Sequence, residues 1–437
     1  MYRHFKQNTE ADFLQGGKTY PRALFACILI MLVPVIIKST VYPSANYTAL
    51  MAAAFVMQCA AVIFTFGKGW KLIPSPIIMI LMINAIVAMM SNSLHLRSID
   101  SQDFINLAAK MLCIFLFYEG AKNLSLSSAQ LKQYARLMAG LSVVACLYNI
   151  FVNVSAIPAV FSSVSSSYLL SFKSFFLNRN QFGMFLVVSM VLTEYAYAGQ
   201  NVKRKAWIHF LQIMNIVLTL SRGSMAAMLV FLAARYFLPS NKKNMVLKSI
   251  ALLLLATVAL ICVFHVPLLY DYIFEDIFRV DVGLTGRPEI WKMGYDAASQ
   301  NWINGVGTFT GIRMAREHGF AFDQFHSFFV DTFVSGGLVE LCTMLFLHLS
   351  VYKRCVKKME DEEIRSTYRA SFYALLCMGV FESVSFFSIG YVDTFFTINY
   401  IMLPMMLSNH TWEKPSPSIR QSHDIGSPQI VAEGQRF

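Results

Sequence analysis

The 437-residue chain is 56% hydrophobic and only 14% charged, with a mean hydropathy of +0.52. A soluble protein of this size carries roughly a quarter charged residues, so the balance excludes a soluble enzyme. The net charge of +11 would point to nucleic acid in a soluble chain; here lysine- and arginine-rich loops facing anionic lipid account for it.

Residues 1–22 are polar and carry Arg3, Lys6, Lys18 and Arg22. The apolar run that follows lacks a small-residue cleavage site, so it is expected to stay as a first membrane helix behind a cytoplasmic N-terminal segment. Apolar runs near 20 residues, long enough to cross about 30 Å of hydrocarbon, then recur along the chain. They predict an all-α polytopic membrane protein with about twelve spans, near 23–41, 47–66, 72–90, 104–121, 136–157, 179–199, 207–220, 222–238, 246–266, 327–350, 369–388 and 391–407. The bundle thus occupies 23–407, with one long extracytoplasmic loop at 267–326. A polar tail, 408–437, is expected to be cytoplasmic and disordered.

Of the 36 Lys and Arg, 25 fall in the N-terminal side's loops and nine on the opposite side, five of these in the single long loop. The positive-inside rule then puts both termini in the cytoplasm. None of the eight cysteines lies in a segment placed outside, which argues against a disulfide framework or a zinc site. No internal repeat is present.

The long loop is not low-complexity. A helical pattern runs from Pro288 to about Ser299, with Ile290, Trp291, Met293, Gly294 and Ala297 on one face suited to an interface. Gly305, Gly307 and Gly311 mark a tight, backbone-exposing turn.

Three residues on this side carry chemistry. Arg222 sits in the turn Leu220-Ser221-Arg222-Gly223 between two short apolar helices, where a permanent charge is costly without a partner. Arg287 opens the loop helix, and His326 stands where the loop re-enters the membrane. Two arginines can grip a pyrophosphate bidentately, and a neutral histidine can take a proton from a hydroxyl. The bland readings are that Arg222 snorkels, that Arg287 pairs with Glu289 or Asp281 on the loop surface, and that His326 is an interfacial polar residue. Lys110, Asp331, Glu382 and Asp393 add charge in the outer parts of expected spans, and Glu340 lies near mid-depth. Charges so placed tend to face a cavity.

These pieces together resemble the O-antigen ligase and polymerase superfamily. The resemblance runs over about 175–350. It rests on Asn178-Arg179-Asn180-Gln181-Phe182-Gly183, Ser221-Arg222-Gly223-Ser224, Thr285-Gly286-Arg287 running to Trp291, Gly305-Val306-Gly307-Thr308-Phe309, and His326 followed by an apolar helix with Gly336-Gly337-Leu338. Where members of the superfamily often carry Asn after the histidine, this chain has Ser327.

The resemblance implies a C-type glycosyltransferase architecture, with a polyprenyl-pyrophosphate-linked glycan as donor and an acceptor glycan. It implies no nucleotide sugar, no metal and no other cofactor. By it, Arg222 and Arg287 hold the pyrophosphate and His326 activates the acceptor hydroxyl, while Arg179, Asn180, Lys110 and Trp291 are expected to bind substrate. The expected function is a polysaccharide polymerase in the bacterial cytoplasmic (inner) membrane, working with other polysaccharide-assembly membrane proteins. The alternatives are a ligase that moves a finished glycan onto a lipid or protein and, from another class, a transporter or flippase. Unlike halves and charges crowded to one side weigh against the last.

Overall fold

The computed structural model describes residues 20–66, 75–95, 100–122, 124–158, 172–200, 202–237, 287–359 and 361–409. The expected ninth span, the first part of the long loop through Gly286, and both chain ends lie outside these residues, so the expected domain boundaries at 22 and 408 are not resolved by it. All regular structure among the described residues is helical.

Six helical stretches are long and apolar enough to cross a membrane: Tyr20–Val41, Tyr47–Thr65, Pro76–Leu94, Ser101–Lys122, Ser128–Val152 and Phe328–Lys358. They contain helices α1 (Tyr20–Ile36), α2 (Tyr47–Phe66), α3 (Pro76–His95), α4 (Ser101–Cys113), α5 (Ser128–Val152) and α11 (Phe328–Lys358). Shorter or more polar helices stand at five other expected spans. These are α6 (Arg179–Ala196), α7 (Val202–Leu218), α8 (Arg222–Phe237), α12 (Glu362–Phe381), and α13 (Tyr391–Thr397) running through a wider π-type turn into α14 (Leu403–Asn409). In the long loop lie α9 (Arg287–Ala298) and α10 (Thr308–Arg316).

Local chemistry fixes several helix starts. Asn178 accepts from the Gln181 N–H to cap α6, Asp361 accepts from Glu363 and Ile364 to cap α12, and Ser127 and Gln130 cap α5 reciprocally. Each side-chain oxygen satisfies backbone donors that the first turn leaves without partners.

Helix α6 is the axis of the bundle. Every residue from Phe182 to Ala196 is buried, the mark of a helix enclosed on all sides. It packs against α5, α7, α8 and α12. The approach to α8 is so close that a β-carbon on Gly183 would lie 2.4 Å from Ser224 Oγ. Only glycine fits there, which explains the Gly that ends the first motif and the Ser that ends the second.

The loop helices α9 and α10 pack on the start of α11 around Ile290, Ala298, Val306, Ile312, Phe320, Phe325 and Val334. The face of α9 expected at the membrane interface is therefore partly spent on protein: Ile290, Gly294 and Ala297 are buried. Helix α11 is interrupted at Gly336 and Gly337. The gap is filled by the 302–307 turn. Leu338 and Val339 N–H groups donate to the Trp302 and Ile303 carbonyls at 2.9 and 3.1 Å, while Val306 and Gly307 N–H groups donate to the Val334 and Ser335 carbonyls at 2.9 and 3.0 Å. The backbone groups freed by the break are thus paired again, as burial demands. Gly305 and Gly337 have φ of 76° and 65°, and the backbone of each occupies the space a β-carbon on the other would need.

Candidate active site

Four helix ends meet at one end of the bundle. Helix α6 brings Arg179 and Asn180 in its first turn, α8 brings Arg222 as its first residue, α9 brings Arg287 as its first residue, and α12 brings Glu382 immediately after its last. Three of these ends are N-termini, whose N–H groups and dipoles favour negative charge.

Glu382 is the hub. Its carboxylate accepts from the Arg287 guanidinium at 3.4 Å, with the glutamate side chain 2% exposed and the arginine 15%. The Asn180 side chain also donates to it, and Arg179 adds its charge. A β-carbon on Gly223 would lie 2.9 Å from Glu382 Oε1, so the residue after Arg222 rests on the same carboxylate. Arg287 is also held over the Phe381 ring, 5.9 Å from its centroid. Among the described residues its carboxylate partner is thus Glu382 and not Glu289; Asp281 lies outside them. Arg222 reaches this point through a tight turn in which Leu220 has φ 51°. There Ser221 N–H donates to Thr219 Oγ1 and Ser221 Oγ bonds Ser224 Oγ.

His326 sits next to this cluster. Burial, with the positive charge of Arg287 added, holds its imidazole below the ordinary value, so the ring is neutral at physiological pH. Its Nδ1 lies 3.3 Å from the Gln324 side-chain amide, and its ring meets Phe322 edge-on. The backbone of His326 is left-handed, φ 54°, a conformation that survives only where the surroundings impose it. Three contacts do so. Ser327 Oγ donates to the Gly379 carbonyl at 3.3 Å, Phe328 N–H donates to the Glu382 carbonyl at 3.0 Å, and Asp331 accepts from Phe325 N–H at 3.0 Å. Ser327, in the position where an Asn is common, therefore serves to pin the histidine loop to α12. Asp331 also accepts from Ser383 Oγ and is committed to the same task. Asp323 is paired with Arg316, its side chain 92% exposed. Among the described residues, the non-glycine positions with positive φ are Ser174, Leu220, His326 and Phe387, and all stand in or beside segments that build this site.

Two cavities adjoin the cluster and share Gln324, Ser383, Ser385, Ile389 and Asp393. The first, about 230 Å³, is lined by Asn178, Asn180, Gln181 and Glu382 among others. The second, about 250 Å³, lies on the other side of that shared wall and reaches down to Lys110 and Glu340. Lys110 and Glu340 form an ion pair, 13% and 9% exposed.

The structure thus brings together Arg179, Asn180, Arg222, Arg287 and His326. Lys110 stands apart, on the floor of the second cavity. Trp291 lies one turn beyond Arg287 and packs in the α9–α11 cluster; its indole N–H has no hydrogen-bond partner, and it lines neither cavity. Glu382 and Gln324 were not singled out as site residues by the sequence. Among the described residues, no group of three or more His, Cys, Asp or Glu is placed to hold a metal ion.

No curated protein matches the chain. Residues 207–343, the stretch that carries Arg222, Arg287 and His326, match the family model described as O-Antigen ligase, which supports the resemblance to the O-antigen ligase and polymerase superfamily.

Proposed function

We infer that this inner-membrane protein is a polysaccharide polymerase, joining polyprenyl-pyrophosphate-linked repeat units at the outer face of the bacterial cytoplasmic membrane. The observation that carries the reading is the meeting of three arginines, on three helix N-termini, beside a neutral histidine. Arginine forks and helix N-termini are suited to a pyrophosphate. In the reaction, an acceptor hydroxyl attacks the anomeric carbon of the donor sugar. The bond from that carbon to the pyrophosphate oxygen breaks, and the electron pair leaves with the lipid pyrophosphate. Arg222 and Arg287 stabilise the charge that develops there. His326 takes the hydroxyl proton, and Glu382 holds Arg287 in place.

The description of the matching family model favours a second reading, a ligase with the same donor chemistry. The product separates them: a polymerase lengthens lipid-linked glycan, a ligase transfers it to a different acceptor. The test is purified protein with a lipid-linked glycan donor. His326→Ala is expected to lower turnover about 10²–10⁴-fold while donor affinity stays near that of the unaltered protein. Arg222→Lys and Arg287→Lys, which keep charge but lose the planar fork, are expected to weaken donor binding and remove most polymer. Normal product from all three variants would remove these residues from the reaction, and absence of any product from the unaltered protein would end the glycosyltransferase reading.

A further inference from the structure

The second cavity has a chemistry of its own. Its mouth is marked by the solvent-exposed Asp323 and its floor by the Lys110–Glu340 ion pair. One wall is polar: Ser388 Oγ donates to Asn106 Oδ1 at 2.9 Å, and Thr308, Ser383 and Gln324 continue it. Phe309 and Phe328 also line the cavity. A lining that mixes hydroxyl and amide groups with aromatic residues suits a sugar ring, which is polar at its rim and apolar on its C–H faces. The volume, about 250 Å³, is below the roughly 300–1,000 Å³ that encloses a drug-sized ligand, so the cavity takes one ring and not an oligosaccharide. Four carboxyl side chains line it; Glu340 is offset by Lys110 and Asp323 by Arg316, which leaves Asp331 and Asp393. An anionic group placed there would meet like charge.

Position says which sugar enters. No arginine of the donor cluster lines this cavity. Gln324 does, and the same side chain touches His326. A ring seated here lies across the histidine loop from the pyrophosphate grip, where an acceptor must be. We propose that this cavity is the acceptor-sugar subsite and that the sugar it takes is neutral or amino-bearing, not a uronate or a phosphorylated or sulfated residue. The assignment of the ring to the acceptor rests on the glycosyltransferase reading; the sugar-binding chemistry does not.

The test uses the full chain in nanodiscs, with native cysteines replaced and Ser388→Cys introduced, labelled by a water-soluble methanethiosulfonate. The methyl glycosides of N-acetylglucosamine, glucosamine and glucuronate are added in turn at tens of millimolar. The first two are expected to slow labelling several-fold, and the glucuronate to leave it unchanged. Thr308→Val and Asn106→Leu should each abolish the protection, with bound lipid-linked donor unaffected. Equal protection by glucuronate would overturn the charge selectivity, and absence of protection by any glycoside would overturn the subsite. Protection lost together with donor binding would make the cavity part of the donor site. Turnover by the Arg287→Lys and His326→Ala variants, measured in parallel, reports on the transferase reading separately. Sugar protection with no turnover even by the unaltered protein would keep the site and remove the reaction.

Discussion

At His326 two influences push the same way: burial disfavours the imidazolium, and the nearby Arg287 guanidinium repels it. A lowered pKa means that the protonated, inactive ring gathers only at acid pH. Turnover is therefore expected to rise with pH through a limb whose midpoint lies below the ordinary value of about 6.5, and to be flat above it. Arg287→Gln removes the repelling charge, so the His326 titration, followed by NMR of ring-labelled protein, should move to higher pH. An unmoved titration would separate the two residues electrostatically. Gln324 adds a condition. In the structure the Gln324 amide nitrogen faces Nδ1; for Nε2 to serve as base, Nδ1 must carry the proton and donate it, so the active form requires the amide turned to present its carbonyl oxygen. Gln324→Glu puts a carboxylate there, stabilises the imidazolium and should shift the acid limb of the rate profile upward. A variant with an unchanged profile would remove Gln324 as the positioning residue. The arginines and the histidine were legible in the sequence because each is a costly residue in a sparsely charged setting. Glu382 was visible as a carboxylate in an expected span, but its role was not. Nothing in the order Phe381-Glu382-Ser383 tells that Arg287, nearly a hundred positions earlier, folds back upon it.

The elements show why the site keeps its shape. The helices that carry Arg179 and Arg222 at one end are tied at the other by a buried carboxylate. Glu194, near the end of α6, has its side chain fully buried. It accepts from Lys205 at 3.3 Å, lies 2.9 Å from His209 Nε2, both on α7, and accepts from Arg235 and the Tyr236 hydroxyl on α8 at 3.2 and 2.8 Å. Arg235 reaches on to Glu363 of α12 at 3.4 Å. Removing one member of such a set leaves the others buried and unpaired, a cost of about 3–5 kcal/mol. Glu194→Leu is accordingly expected to lower the unfolding temperature of the detergent-purified protein by several degrees and to reduce donor binding although it lies far from the arginines. A second element-scale expectation concerns the broken α11. Gly337→Ala places a β-carbon 2.3 Å from the Ile303 carbonyl oxygen in a left-handed backbone, whereas Gly140 of α5 has nothing within 4 Å of the same atom. Gly337→Ala should abolish folded protein in the membrane, and Gly140→Ala should leave it unchanged or slightly raised, as read by fluorescence-detected size-exclusion chromatography. The glycine-rich run at 305–311 was legible as a tight turn. That it plugs a gap in another helix was not, because the pairing is made by backbone groups, which a sequence does not display.

For the molecule as a whole, function depends on which side of the membrane the site faces. Helix lengths do not answer that, since a bundle read by hydropathy fits either way up. From the lysine- and arginine-rich loops and the positive-inside rule we propose that the arginine cluster, the histidine loop and both cavities face outside. On that proposal the Glu194 cluster, whose Lys205 follows Lys203 and Arg204 in the chain, lies at the cytoplasmic side. This orientation also suits the chemistry. A lipid-linked glycan presented at the outer face can reach the arginines without its polar sugars crossing the bilayer, and a buried arginine cluster costs least near the headgroups, where it can be wetted. Single cysteines at Ser299, the exposed residue after α9, and at Ser366, in the first part of α12, test it in a background with the native cysteines replaced. In intact spheroplasts an impermeant thiol reagent should label Ser299→Cys and leave Ser366→Cys unmodified until the membrane is opened. The reverse pattern would turn the molecule over and place the site in the cytoplasm, where an outer-face polymerase could not work. Labelling of both positions in sealed cells would mean that the span count between them is even, and would reopen the reading of α11 as a single crossing in spite of its interruption at Gly336 and Gly337.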